Sequence, residues 1–138
     1  MGLRLNTQIT TLKSLSAAYA QLGNLAELDQ DWDSYGASPP TSVALSRASR
    51  LMLDVATQAL ESSDIGEAIS KPWFIAPLAD GGIQIEWRNG TRAVEVEIGP
   101  EGRLQYLVEN EDSLIEVSNG VTGADWPNVV AAVCQVLS

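Results

Sequence analysis

The sequence predicts an α+β fold in which an antiparallel β-meander of about four to five strands packs its apolar face against two N-terminal helices and one C-terminal helix. Apolar residues follow helical spacing in residues 1–60 and again in 125–138, while residues 73–118 alternate apolar and polar positions. Short turns separate the successive strands, so neighbouring strands should be antiparallel. With 138 residues, the chain suits one domain with a substantial core. We therefore expect residues 1–138 to form a single α+β domain.

The helices are predicted from apolar residues that recur at intervals of three and four. The first helix covers residues 7–22 and ends at Gly23, which suits the left-handed position after a helix end. Its apolar positions are Leu5, Ile9, Leu12, Leu15, Tyr19 and Leu22. The second helix starts near Thr41, and its apolar stripe is Leu45, Ala48, Met52, Val55 and Ala59. The C-terminal helix is capped by Asp125, and its stripe is Trp126, Val130, Val133 and Leu137.

A β-hairpin forms the centre of the predicted sheet. The pair Asn89-Gly90 favours a two-residue type I′ turn, in which both central residues have positive φ. With that turn, Ile85 lies opposite Val94 and Trp87 lies opposite Arg92. The apolar residues then share one face of the two strands: Ile83, Ile85, Trp87, Val94, Val96 and Ile98. The opposite face carries Gln84, Glu86, Glu95 and Glu97. The pattern indicates a sheet with one buried face and one solvated, acidic face.

Three further strands complete the predicted meander. Residues 73–76 form the first strand, which Pro77 ends. Residues 104–109 alternate apolar and polar positions and place Glu109 outward. Residues 114–117 form a last, short strand at the sheet edge and carry Glu116. The predicted sheet therefore bears acidic residues on several neighbouring strands.

Charge is the strongest feature of the composition. The chain has 8 basic and 18 acidic residues, for a formal net charge of −10. Such a surface repels nucleic acid and anionic membranes and attracts a basic partner, although acidity also serves solubility alone. No apolar stretch approaches the roughly 20 residues of a membrane span, and no signal peptide is recognised. The single cysteine, Cys134, excludes an internal disulfide, so we expect a cytoplasmic protein.

Catalytic and metal-binding constellations are not found in the sequence. Histidine is absent, which removes the commonest general base and histidine metal ligands. Asp29, Asp31 and Asp33 resemble the start of a calcium loop, but that motif fails because its glycine and glutamate positions hold Ser34 and Pro40. Cys134 lies on the stripe of the last helix, as a core residue would. We expect no catalytic residue, no metal and no cofactor.

Binding residues are more plausible than catalytic ones. Glu95, Glu97, Glu109 and Glu116 are the candidates on the acidic side of the sheet. Trp32 and Tyr35 are the candidate anchors, because they lie in a loop beside acids and prolines, and Trp and Tyr are enriched at binding hot spots. The alternative is that both rings plug the end of the helical layer, since large aromatics are usually mostly buried.

Two segments resemble the marks of a family of small, mostly uncharacterised bacterial proteins. One is Asp31-Trp32-Asp33-Ser34-Tyr35-Gly36-Ala37-Ser38-Pro39, and the other is Pro77-Leu78-Ala79-Asp80-Gly81-Gly82-Ile83-Gln84-Ile85-Glu86-Trp87. With the helix between them, the similarity covers about half the chain. The resemblance implies a prokaryotic or phage origin and a single α+β unit. It implies no activity, substrate or catalytic residue for this sequence.

The leading functional hypothesis is a non-enzymatic, acidic protein-binding module. It would regulate or inhibit a basic protein, or neutralise it as an antitoxin does. The basic protein could be one that itself binds nucleic acid. Mimicry of nucleic acid is one version of this role. The alternatives are an enzyme that uses carboxylates or a divalent ion, and a small assembly subunit. The oligomeric state stays open, a homodimer included.

Overall fold

The computed structural model describes residues 2–61, 72–110 and 125–138. The elements in chain order are α1 (Gly2–Ala26), α2 (Ser42–Glu61), β1 (Phe74–Pro77), β2 (Ile83–Asn89), β3 (Arg92–Ile98), β4 (Leu104–Asn110) and α3 (Trp126–Leu137). The predicted α+β fold is confirmed, with two N-terminal helices, a C-terminal helix and an antiparallel sheet. The strand predicted at residues 114–117 lies outside the described residues. In the described ranges, no helix combines the length and the apolar composition that crossing a bilayer requires.

The sheet is a meander with the strand order β1-β2-β3-β4, and every neighbouring pair is antiparallel. The central hairpin exists, but its predicted turn is wrong by one residue. Asn89 pairs with Arg92, so the two loop residues are Gly90 and Thr91. Gly90 has a φ of 62°, whereas neither Asn89 nor Thr91 has positive φ. Positive φ at the first central residue alone is the pattern of a type II′ turn, which prefers glycine there.

The hairpin register also differs from the prediction. Trp87 lies opposite Val94 and Ile83 lies opposite Ile98. The predicted register would have set Trp87 against the charged Arg92. A shift of two residues along the partner strand leaves every side chain on its own face. The predicted assignment of faces is therefore confirmed although the predicted pairing is wrong.

The core lies between the inner face of the sheet and the helices. The inward residues of β2 and β3 are fully buried, as predicted: Ile83, Ile85, Trp87, Val94, Val96 and Ile98. They join the buried residues of α2, which are Ala44, Ala48, Leu51, Met52, Val55, Ala56 and Ala59, and the Val-rich stripe of α3. Helices α2 and α3 contact β2 and β3, while α1 contacts α2 and β1. All three helices thus serve one core on one side of the sheet.

Helix boundaries follow from capping and from burial. Asp125 is the N-cap of α3 as predicted, since its side chain accepts a hydrogen bond from the backbone N–H of Asn128 at 3.0 Å. The predicted end of α1 at Gly23 is wrong, because the helix continues to Ala26. Leu22 is buried and Leu25 packs against the same core cluster. Continuing the helix keeps both leucines on the core side, which outweighs the preference of glycine for a helix end.

Thr41 joins the start of α2 to the β1–β2 and β3–β4 connections, which lie at the same end of the sheet. Its Oγ1 accepts from the backbone N–H of Ala44 at 3.1 Å and donates to the carbonyl oxygen of Pro100 at 2.6 Å. Its backbone N–H donates to the carbonyl oxygen of Gly81 at 3.0 Å. The chain is equally tight at Gly82, where a Cβ atom would lie 2.4 Å from the carbonyl oxygen of Ile98. The glycine pair before β2 therefore has a structural cause, which is close packing of the β1–β2 connection on the end of β3.

Candidate functional site

The outer face of the sheet is the surface opposite the core, and the strand register defines its residues. One row crosses all four strands in the order Phe74, Glu86, Glu95 and Leu107. A second row is Ala76, Gln84, Glu97 and Gln105, and a third contains Arg88, Ala93 and Glu109. We call Glu86, Glu95, Glu97 and Glu109 the acidic face. Cross-strand neighbours on one face lie roughly 5 Å apart, so these carboxylates are crowded.

Burial and crowding both act on the carboxyl of Glu95. Its pKa is raised above the ordinary value, first by partial burial and then by repulsion from Glu109, Glu86 and Glu97. Arg88 acts in the opposite direction and lowers the pKa of the same carboxyl. Three negative neighbours against one positive neighbour leave the centre of the acidic face strongly negative. A cation brought to this point would relieve the repulsion.

Hydrogen bonds hold the carboxylates in place without neutralising most of them. Gln84 Nε2 donates to Glu95 Oε1 at 3.0 Å, and Gln105 Nε2 donates to Glu97 Oε2. These amides orient the carboxylates but carry no charge. Among the described residues, the one ion pair in this cluster joins Glu86 to Arg88 Nε at 2.9 Å, and Glu86 is 9% exposed. Glu86, Glu95 and Glu97 are thus held in place, and preorganised groups favour binding.

Two exposed aromatic residues border the acidic face on the β1 side. Trp73 is 66% exposed and Phe74 is 50% exposed. Phe74 lies directly beside Glu86, and the guanidinium carbon of Arg88 lies 5.6 Å from the centroid of the Trp73 ring. Both residues are predicted in the first strand, but the sequence pattern does not mark them as a contact surface. Since neighbouring side chains of a strand point to opposite faces, the inward Ile75 already indicates that Phe74 lies on the outer face.

The two candidate anchors in the loop between α1 and α2 differ in how far their side chains are exposed. Trp32 is half-buried, and its Nε1 donates to the carbonyl oxygen of Ser38 at 2.8 Å, so this ring fastens its own loop. Tyr35 is 92% exposed and projects from the loop. The plug interpretation therefore describes the surroundings of Trp32, and the contact-surface interpretation describes those of Tyr35.

The aspartates of this loop act on its backbone. Asp33 Oδ1 accepts from the backbone N–H of Tyr35 at 2.8 Å and of Ala37 at 3.1 Å, and Asp31 Oδ1 accepts from the backbone N–H of Gly36 at 2.6 Å. These bonds stabilise a loop in which Asp31 and Ser34 have a φ of 65°, a rare conformation outside glycine. Alternating aspartates are thereby explained by loop closure.

The structure brings some of the candidate residues together and separates others. Glu95, Glu97 and Glu109 share the outer face as predicted, and Glu116 lies outside the described residues. The loop that carries Trp32 and Tyr35 is bonded to the β1–β2 connection, where Ser38 N–H donates to the carbonyl oxygen of Ala79 at 2.9 Å. That places the loop at the end of the sheet where β1 stops. Trp73 and Phe74 lie at the other end of β1.

Other chemistry in the described part of the chain is sparse. Among those residues, no group of three or more His, Cys, Asp or Glu side chains is placed to hold a metal ion. Cys134 is buried, and burial raises the pKa of its thiol, which disfavours the reactive thiolate. A cavity of about 350 Å³ lies between β4 and α3, with Tyr106, Val108 and Val136 in its wall. It is on the inner side of the sheet, away from the centre of the acidic face.

The comparisons with known proteins give no assignment, since no family model, curated protein or solved structure matches this chain significantly. The resemblance to small bacterial proteins stays a prediction.

Proposed function

We propose that this protein is a non-enzymatic binding module whose acidic face recognises a basic protein. It would act as a regulator, an inhibitor or an antitoxin-like neutraliser of that partner. The observation that carries the proposal is the cluster of Glu95, Glu97 and Glu109 on the outer face, beside the buried and ion-paired Glu86. The raised pKa of Glu95 supports it, because partial burial and then the repulsion of the neighbouring carboxylates disfavour the charge that a cation would stabilise.

Charge also limits the class of partner. A formal net charge of −10 disfavours direct contact with nucleic acid or anionic lipid, whose phosphates carry the same sign. A protein with a basic surface is attracted, and this includes a protein that uses that surface for nucleic acid. In that case the acidic face would occupy the nucleic-acid site and act by mimicry. We place the protein in the cytoplasm of a bacterial or phage-infected cell, with no cofactor.

Comparative affinity capture tests the proposal. The wild-type protein and a double variant, Glu95→Lys with Glu97→Lys, are immobilised and exposed to a lysate of the organism that encodes the protein. A control double variant, Glu27→Lys with Glu61→Lys, makes the same change in net charge at exposed positions on the helical side. We expect the wild type and the control to capture the same basic proteins. The face variant should capture at least about ten-fold less of each of them.

Two results of the capture experiment contradict the proposal. One is that no protein distinguishes the wild type from the face variant. The other is that the control variant loses the same proteins, which would indicate a dependence on net charge alone. Thermal melts of all three proteins establish that the substitutions leave the fold intact.

A carboxylate-dependent enzyme is the second candidate, and one observation favours it. Glu86 and Glu95 are directly opposed and the pKa of Glu95 is raised, as occurs for paired catalytic carboxylates. The candidate predicts that Glu95→Gln abolishes turnover of a small molecule while Glu97→Gln leaves it intact. The binding proposal predicts graded losses of affinity from both variants and no turnover.

A further inference from the structure

We propose that the acidic face and the aromatic border formed by Trp73 and Phe74 together make a docking surface for a cationic amphipathic helix. This inference rests on the proposed function and specifies the shape of the partner. The partner helix would set apolar side chains against the aromatic border and Lys or Arg side chains over the glutamates. A cationic helix complements the charge of the acidic face, and two further grounds select this occupant: the apolar part of the surface and the width of the row.

The apolar part of the surface is the first ground. Trp73 is 66% exposed and Phe74 is 50% exposed. Phe74 lies next to Glu86 in the same cross-strand row. Leu107 ends that row on the other side of the sheet and is half-buried. Apolar residues therefore lie at both ends of a row whose centre is two carboxylates. A purely electrostatic polycation would leave the exposed rings in water, whereas an amphipathic partner covers them.

The width of the surface is the second ground. Neighbouring strands lie about 4.8 Å apart, so the row from β1 to β4 spans about 14 Å. A helix with its side chains is about 10–12 Å in diameter. One helix lying along the strands would thus cover two or three of them, with its apolar face on Trp73 and Phe74 and its flanking cationic side chains near Glu95. Helices α1, α2 and α3 pack on the inner face of the sheet. A partner helix on the outer face would form a third layer after these helices and the sheet.

A strand added at the edge of β1 is a poorer occupant. β1 has only four residues, and its last residue is Pro77. A short ladder ending in proline offers few backbone hydrogen bonds to a partner strand. The ring of Phe74 and the glutamates lie on the outer face of the sheet and not along its edge. Side-chain contacts on the face should therefore dominate recognition.

Preorganisation strengthens the case at Trp73. The Arg88 guanidinium lies 5.6 Å from the centroid of that ring, and the same side chain is bonded to Glu86. The backbone N–H of Trp73 donates to the carbonyl oxygen of Glu86 at 2.7 Å. An aromatic ring already held in position loses little conformational freedom when a partner covers it. Trp73 and Phe74 should consequently behave as anchors.

Peptide binding tests the inference. The probe is an 18-residue peptide of leucine, alanine and arginine whose leucines share one helical face. Its control is an isomer of identical composition with the leucines scattered around the helix. Fluorescence anisotropy at a fixed salt concentration gives both dissociation constants for the whole protein. We expect the amphipathic peptide to bind at least ten-fold more tightly and to become helical in circular dichroism on binding.

Matched variants locate the contact. Phe74→Ser should reduce the affinity for the amphipathic peptide toward that for the isomer. Leu53→Ser removes an apolar residue of similar exposure, 43%, from α2 and should change neither affinity. If a thermal melt shows that Phe74→Ser weakens the fold, Trp73→Ser takes its place, because Trp73 precedes the strand.

The outcomes separate this inference from the proposed function. Equal binding of the two peptides, with both weakened by Glu95→Gln, overturns the helix inference and leaves the electrostatic proposal standing. No binding of either peptide contradicts both. Tighter binding of the amphipathic peptide that Phe74→Ser and Trp73→Ser leave unchanged also overturns the inference, since the anchors would then lie elsewhere.

Discussion

Glu95→Gln should stabilise the folded protein at neutral pH while weakening its binding to a basic partner. Partial burial and three neighbouring glutamates raise the pKa of Glu95 in the folded state. The folded state therefore binds a proton more tightly than the unfolded state does, and the free energy of unfolding falls as pH rises through the folded pKa. Above that pKa the charged side chain is a net destabilising group. Glutamine removes the charge and can still accept the hydrogen bond that Gln84 donates.

The size of the gain follows from the cross-strand geometry. Glu86 lies directly opposite Glu95, and directly opposed like charges destabilise a sheet by an amount similar to the 0.2–1 kcal/mol that opposite charges contribute. Glu95 is only partly buried, so solvent screening reduces the effect. We expect a gain of about 0.5 kcal/mol at pH 7, or about 2 °C in melting temperature. Below the unfolded pKa of a glutamate both forms are neutral, and the gain should vanish.

Urea denaturation at pH 7 and at about pH 3.5 measures this directly, since the ordinary pKa of glutamate lies near 4.3. Glu101→Gln is the matched control, because Glu101 is an exposed acid in the turn between β3 and β4. Its removal should change stability by less than about 0.5 kcal/mol at either pH. A loss of stability for Glu95→Gln at pH 7, or a gain that persists at pH 3.5, would refute the electrostatic reasoning. Retaining a destabilising charge is what a binding surface requires.

Three other predictions follow from the described geometry. Trp87→Ala should lower the free energy of unfolding by about 3–5 kcal/mol, because the side chain is fully buried, and a loss below about 1 kcal/mol would contradict its place in the core. Trp32→Ala should lower the free energy of unfolding by about 1–2 kcal/mol, because the ring is half-buried. Tyr35→Ala should leave stability unchanged, and it should speed partner dissociation if Tyr35 is an anchor. Calorimetric titration with calcium, magnesium, manganese and zinc should show no tight site, because the Asp31 and Asp33 carboxylates already accept backbone N–H groups; a stoichiometric response lost in Asp31→Asn would reverse this expectation.

The faces of the sheet could be predicted from the sequence, but the pairing of its strands could not. Side chains alternate with a period of two, so the inward residues are the same for any even shift of register. The Asn89-Gly90 pair favours a turn that would have set Ile98 opposite Gly81. In the structure Ile98 lies opposite Ile83, and Trp87 lies opposite Val94. Matching apolar residues in three of the seven pairs outweighed the local preference of one turn.

The site was predictable in part for the same reason. Alternation alone put Glu95 and Glu97 on the outer face, but their distance from Glu86 and Glu109 required the register. The exposure of Phe74 depended on how far the first strand runs along β2. Local sequence does not contain that information, because it arises from packing between segments distant in the chain.

The association rate of the captured partner, measured by stopped flow over a range of salt concentrations, tests the central claim most directly. Long-range attraction to the acidic face should make the wild-type rate high at low salt and should make it fall steeply as screening increases. The variant with Glu95→Lys and Glu97→Lys should associate about ten-fold or more slowly at low salt and respond less to added salt. The Glu27→Lys, Glu61→Lys control should follow the wild type. Equal rates and equal salt dependence for the wild type and the face variant would contradict the claim that this surface recognises the partner.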